Sequence, residues 1–134
     1  MKKRILPILI LMLVTSRALA LDKGSFEIRV TINKAPAVES FLPRDGSAIN
    51  EGDTLEISVS ANDPNNDVLK YRFFINGIVK RDWGASPAFS CLLGNGDIGL
   101  NRISAEVTDG IETITTEEAE VYVFRKSLAL PTAQ

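Results

Sequence analysis

The stretch N-D-P-N-N-D, residues 62–67, sets two carboxylates, Asp63 and Asp67, among three asparagines and a proline. Oxygen-only side chains at that density suit a hard cation such as calcium, which takes about six to eight oxygens converging from flexible loops. Asp53 and Asp109, with Glu51, sit in other turns and would join the set if the fold brought their loops to one end. The same residues also spell a turn. Asp63-Pro64 opens it, Asn65-Asn66 tolerate the left-handed region, and Asp67 leads into the next strand. The spacing does not match an EF-hand loop, so the turn reading stands first and a calcium site second.

Other chemistry is thin. The chain has no histidine, and so lacks the side chain best suited to general-base work near neutral pH. No serine lies in a G-x-S-x-G setting. The lone cysteine, Cys91, can form neither an internal disulfide nor a zinc cluster, and it has neither an imidazole nor a basic neighbour to activate it. It reads as a small apolar strand residue. Paired acids could cut glycosidic bonds, yet acids at turns are the ordinary solvated face of a β protein. The expectation is a non-enzyme with no catalytic residue and no cofactor beyond calcium. Trp83, the single tryptophan, lies in G-I-V-K-R-D-W-G. It is read first as cover for one end of the core, and second, with Arg81, as an aromatic contact for a glycan or protein partner.

These residues must be positioned by what lies around them. Residues 1–20 read as a cleavable signal peptide. Lys2, Lys3 and Arg4 precede an apolar run over 5–14, and Ala18-Leu19-Ala20 supplies small residues for cleavage. That run is too short for a stable membrane span, so the expected state is exported, in a periplasm or at the cell surface. Removing it takes four basic residues and no acids, leaving 11 Lys/Arg against 17 Asp/Glu. A net charge of −6 without a basic stripe excludes the footprint of a nucleic-acid binder and of a polybasic membrane contact.

The remaining sequence alternates with period two, as strands do. Phe26, Ile28, Val30 and Ile32 share one face of F-E-I-R-V-T-I, within an N-terminal strand or arm over 21–35. Leu55, Ile57, Val59 and Ala61 follow, then Leu69, Tyr71, Phe73 and Ile75, and later Ile103, Ala105 and Val107. Asn76-Gly77 is the strongest short hairpin signal, because a type I′ turn needs positive φ twice. The stretch F-L-P-R-D-G-S-A-I-N-E-G-D, residues 41–53, reads as loop, and 126–134 as a loose tail. The fold class is all-β, an antiparallel immunoglobulin-like sandwich of seven to eight strands over 36–125. The four-residue apolar face of the arm admits two readings. It pairs within its own sheet, the preferred one, or it adds to the open edge of a second copy in a filament.

The run E-G-D-T-L-E-I-S-V-S-A-N-D-P-N-N-D-V-L-K-Y-R-F-F-I, with Val107-Thr108-Asp109-Gly110 downstream, resembles bacterial immunoglobulin-like modules of the PKD, cadherin-like and fibronectin type III group. PKD modules usually carry a tryptophan where this chain has Phe73 or Phe74, and the spaced D-x-D elements of true cadherins are absent. The resemblance implies the sandwich, and a binding, adhesion or assembly role with a protein or glycan partner. Its cadherin-like branch implies calcium stabilisation.

Overall fold

The computed structural model describes residues 24–128. The signal segment 1–20 and the tail residues 129–134 lie outside them. Two units divide the chain, one ending at Ile32 and one running from Asn33. In the first, residues 24–32 belong to no strand, and Phe26, Ile28, Val30 and Ile32 are all exposed. The described residues of the expected N-terminal strand or arm are thus not in a strand. Alternation without a partner strand to accept its hydrogen bonds does not make a strand. An exposed Arg29–Glu27 ion pair of 2.6 Å lies in this stretch.

The second unit is a sandwich of two sheets. Its strands are β1 (Ala37–Leu42), β2 (Ser47–Asn50), β3 (Thr54–Asn62), β4 (Lys70–Ile75), β5 (Ile78–Gly84), β6 (Ala88–Leu92), β7 (Gly99–Thr108), β8 (Thr113–Thr115) and β9 (Ala119–Phe124). One sheet has the order β1-β3-β6. The other runs β2-β9-β7-β4-β5, with β8 paired to β7. All pairings are antiparallel except β2 on β9. No α-helix occurs among the described residues, and none of their helices could cross a membrane.

Alternation fixes which residues face inward. Leu55, Ile57 and Val59 of β3 meet Tyr71, Phe73 and Ile75 of β4, Ile103, Ala105 and Val107 of β7, and Val121 and Val123 of β9 in one core. Phe73 and Phe89 stack across the two sheets at 5.8 Å. Burial pushes the Tyr71 hydroxyl pKa up from its ordinary value. Asn76 and Gly77 take φ of 53° and 75°, as a type I′ turn requires. Asn76 then ties the hairpin to β7. Its Nδ2 donates to buried Asn101 Oδ1 at 2.9 Å, and Asn101 Nδ2 donates to the Asp97 carbonyl at 2.6 Å. Cys91 is half-buried against the core.

All of β2 and the last two residues of β1 fall in the stretch 41–53 expected to be loop. In β1 the register shifts between Val38 and Ser40, so Val38 and Phe41 face the core three residues apart and period two is lost. In β2 four residues suffice because they pair in parallel with β9, with Ser47 beside Val121 and Asn50 beside Phe124. Neither device leaves a periodic signal in the sequence.

Candidate functional site at the Trp83 end of the sandwich

Both readings of N-D-P-N-N-D hold atoms that satisfy them. Asp63 closes the end of β3 by accepting the backbone N–H of Asn65 at 2.7 Å and of Asp67 at 3.0 Å, both on Oδ1. Asn66 donates to the Asp63 carbonyl and sits at φ 66°. That is the expected turn chemistry. It uses only one oxygen of the carboxylate. The other, Oδ2, is buried, and no donor among the described residues reaches it.

Asp67 and Asp109 flank that group, and the three carboxylates each offer an oxygen within 4.8 Å of the others. Asp109 arrives from the loop after β7. Its Oδ1 accepts the N–H groups of Ile111 and Glu112, each at 2.7 Å, and its Oδ2 accepts from Asn33 Nδ2 at 2.9 Å. The backbone N–H of Glu112, then the Asn33 amide and the Ile111 N–H, hold the Asp109 carboxyl below the usual carboxylate range. Asp53, expected in the same set, is placed elsewhere. It lies before β3 and Asp63 lies after it, so a nine-residue strand, roughly 30 Å, separates them. Asp53 instead closes its own turn, with Oδ2 accepting the Asn50 N–H at 3.3 Å. Glu51 lies at that far end too, accepting the Lys126 N–H.

Trp83 sits outside the core cluster. On β4 the buried positions are Tyr71, Phe73 and Ile75, so Arg72 and Phe74 point to the outer face of the six-stranded sheet. The Arg72 guanidinium lies 4.5 Å from the Trp83 ring centre and 5.3 Å from that of Phe74. It is fixed by Glu106, one strand over on β7, whose Oε2 accepts from Nε at 2.9 Å and Nη2 at 2.5 Å. The preferred reading of Trp83 as core cover is therefore corrected: the ring is partly buried by an arginine on the outer face. Arg81 does what was expected of the tryptophan. Its guanidinium lies over the Phe73 and Phe89 rings at 5.6 and 5.9 Å, and it donates to the Ser86 carbonyl.

A shallow depression of about 450 Å³ opens beside Trp83, walled by Val68, Lys70, Thr108, Asp109, Gly110 and Thr113. A larger one, about 650 Å³, is lined by Phe41, Arg44, Asp45, Thr115 and Glu118 among others. Both join an aromatic ring to a cation, hydroxyls and carboxylates, but Phe41 of the larger one packs against the core, whereas Trp83 of the first lies outside it. The sequence reading missed Arg72 and Phe74 as parts of this face, and also an exposed trio of Leu100, Tyr122 and Phe124 farther along the same sheet, with the two rings 4.8 Å apart. A signal was there. In A-E-V-Y-V-F the valines fill the core face, so the aromatics alternate onto the outer face, where polar residues are the rule.

A family profile described as bacterial Ig domain matches residues 36–116. The chain belongs to the bacterial Ig domain family. This Ig domain also resembles solved structures. A Clostridium thermocellum CbhA fibronectin(III)-like module is 18% identical with a TM-score of 0.52, over 69% of this chain and 99% of that one. Sidekick-1 immunoglobulin domains 1–5 give 16% and 0.56, over 69% of this chain and 19% of theirs. A Bacteroides ovatus mixed-linkage glucan utilization locus protein, SGBP-B, in complex with a mixed-linkage heptasaccharide, gives 19% and 0.53, over 72% and 26%. At these identities the likeness shows the fold. The Ig domain thus spans about a fifth to a quarter of two of these larger chains. No curated protein sequence matches it.

Proposed function

We propose that this protein is an exported, non-catalytic interaction module, acting in a periplasm or at the cell surface, that holds its partner at the Trp83 depression. The carrying observation is the position of Trp83: outside the core, held by Arg72, and lining a hollow with Lys70, Thr108, Asp109 and Thr113. An aromatic ring supplies the apolar contact for a sugar face or a buried side chain, and the surrounding polar groups fix its orientation. The hollow suits one or two saccharide units better than a full protein interface, which buries ~800 Å² per partner. A glycan is therefore the first partner and a protein the second. Membership in the bacterial Ig domain family and the lack of any histidine support a non-enzymatic role. The saccharide in the SGBP-B complex belongs to a chain of which the likeness covers 26%, and is a property of that protein.

The test is binding of a panel of soluble oligosaccharides, mixed-linkage glucan fragments included, to the wild type and to Trp83→Ala and Tyr122→Ala variants. The reading expects retention of at least one glycan class by the wild type and by Tyr122→Ala, and its loss in Trp83→Ala. Binding that survives Trp83→Ala would refute this site.

A second reading has its own observation. Phe26, Ile28, Val30 and Ile32 alternate, yet lie in no strand and are exposed. Such a segment suits strand addition to the edge of a second copy, giving self-assembly. Removing residues 24–32 would then abolish association seen by light scattering at high concentration, whereas association that persists would set this reading aside.

A further inference from the structure

We infer that Asp63, Asp67 and Asp109 form a divalent-cation site of the calcium type, and that the side-chain amide of Asn33 completes it. The cation site shares Asp109 with the wall of the Trp83 depression, but it does not rest on the partner that docks there. A group of acids alone says little, since exposed carboxylates often cluster without consequence. Here Asp63 retains only 8% of its surface, and its Oδ2 is buried with no donor among the described residues. Leaving a buried carboxylate oxygen unpaired costs free energy. No ion pair among the described residues involves Asp63, Asp67 or Asp109. Three acids within 4.8 Å of one another therefore have no cationic side chain bound among them. A metal ion would relieve both the repulsion and the orphaned oxygen.

The spacing admits calcium. Ligand oxygens that surround one cation can be separated by at most twice the metal–oxygen distance, a limit of ~4.6–5.2 Å for calcium. The three carboxylates offer oxygens within 4.8 Å of one another, inside that reach, and an all-oxygen set on flexible loops suits calcium better than the strict octahedron of magnesium. The donors are all oxygens, with no histidine in the chain and Cys91 on β6, so soft-metal chemistry has no ligands here.

Asn33 adds a donor through a simple rotation. Its Nδ2 now donates to Asp109 Oδ2 at 2.9 Å. Turning the amide end for end puts its oxygen where the nitrogen is, beside the same Asp109 carboxylate. Lys34 is held next to it, its N–H donating to Asn65 Oδ1 at 2.8 Å. The segment leading into β1 is thus already fastened to the loop that carries Asp63 and Asp67. Calcium would lock that fastening, and the thermal stability of the sandwich would depend on it.

The experiment uses the exported protein after EDTA treatment, melted alone, with CaCl₂ and with MgCl₂, at matched ionic strength. Calcium at a hundredfold excess over its dissociation constant should raise Tm by about 10 °C, with magnesium giving much less. Asp63→Asn also disturbs the turn, so the deciding variant is Asp67→Ala, whose side chain is exposed and whose part in the turn is its backbone N–H. It should fold with the Tm of the EDTA-treated wild type and show no calcium response. Asn33→Ala should fold and bind calcium at least tenfold more weakly by calorimetric titration. An unchanged Tm with no calorimetric heat would overturn the inference. So would a full calcium response retained in Asp67→Ala. An equal response to magnesium would overturn the choice of ion.

Discussion

Arg72 is the residue on which the Trp83 face depends, and its replacement by alanine has a magnitude that can be worked from the contacts. The guanidinium makes a partly buried ion pair with Glu106, the two side chains retaining 29% and 22% of their surfaces. After discounting for solvent, that pair contributes about 1 kcal/mol. Stacking on Trp83 at 4.5 Å and Phe74 at 5.3 Å adds about 0.5–1 kcal/mol. Loss of the side-chain stem that packs between the rings adds a few tenths more. Arg72→Ala should therefore cost about 2 kcal/mol in guanidinium denaturation and lower Tm by roughly 10 °C. Glu106→Gln keeps the stacking, and should cost about 1 kcal/mol. Trp83 emission reports the face directly, because it is the only tryptophan. It should shift to longer wavelength in Arg72→Ala and stay put in Glu106→Gln. A cost below about 0.5 kcal/mol for Arg72→Ala, or an unmoved emission maximum, would refute the reasoning that Arg72 holds the ring.

Other outcomes follow from single contacts. Asn101→Ala removes a buried amide that joins the β4–β5 hairpin to the Asp97 turn, leaving Asn76 Nδ2 without its acceptor; it should lower unfolding free energy by about 2–3 kcal/mol in denaturant melts. Gly77→Val puts a β-branched residue at φ 75°, and should cost at least about 1 kcal/mol in the same measurement. Burial raises the Tyr71 pKa. Its contribution is fully present below the unfolded value near 10 and is lost as pH rises beyond it, so Tyr71→Phe should flatten the alkaline limb of a Tm-against-pH curve.

The sequence was most legible where one face is core and the other is solvent. Leu55, Ile57 and Val59, Tyr71, Phe73 and Ile75, and Ile103, Ala105 and Val107 are buried as their alternation demands. It misled where the pattern lacks its physical cause. The arm around Ile28 alternates without a partner strand, and β1 pairs without alternating because of its bulge. The acids show the same divide. That Asp63 makes a turn follows from local chemistry, whereas the meeting of Asp63 with Asp109, and the separation of both from Asp53, depend on which end of β3 each loop occupies. Trp83 was misplaced for a related reason. A register shift in the β4–β5 pairing between Tyr71 and Phe73 sets both Gly84 and Arg81 opposite inward positions, and Trp83 between them is turned outward.

The most direct measurement is a titration of Trp83 fluorescence with the oligosaccharide panel. The account predicts a saturable change in emission with at least one glycan, weakened when Lys70 or Thr113 on the rim is changed to alanine. Saccharide binding that leaves the emission of Trp83 untouched would contradict it.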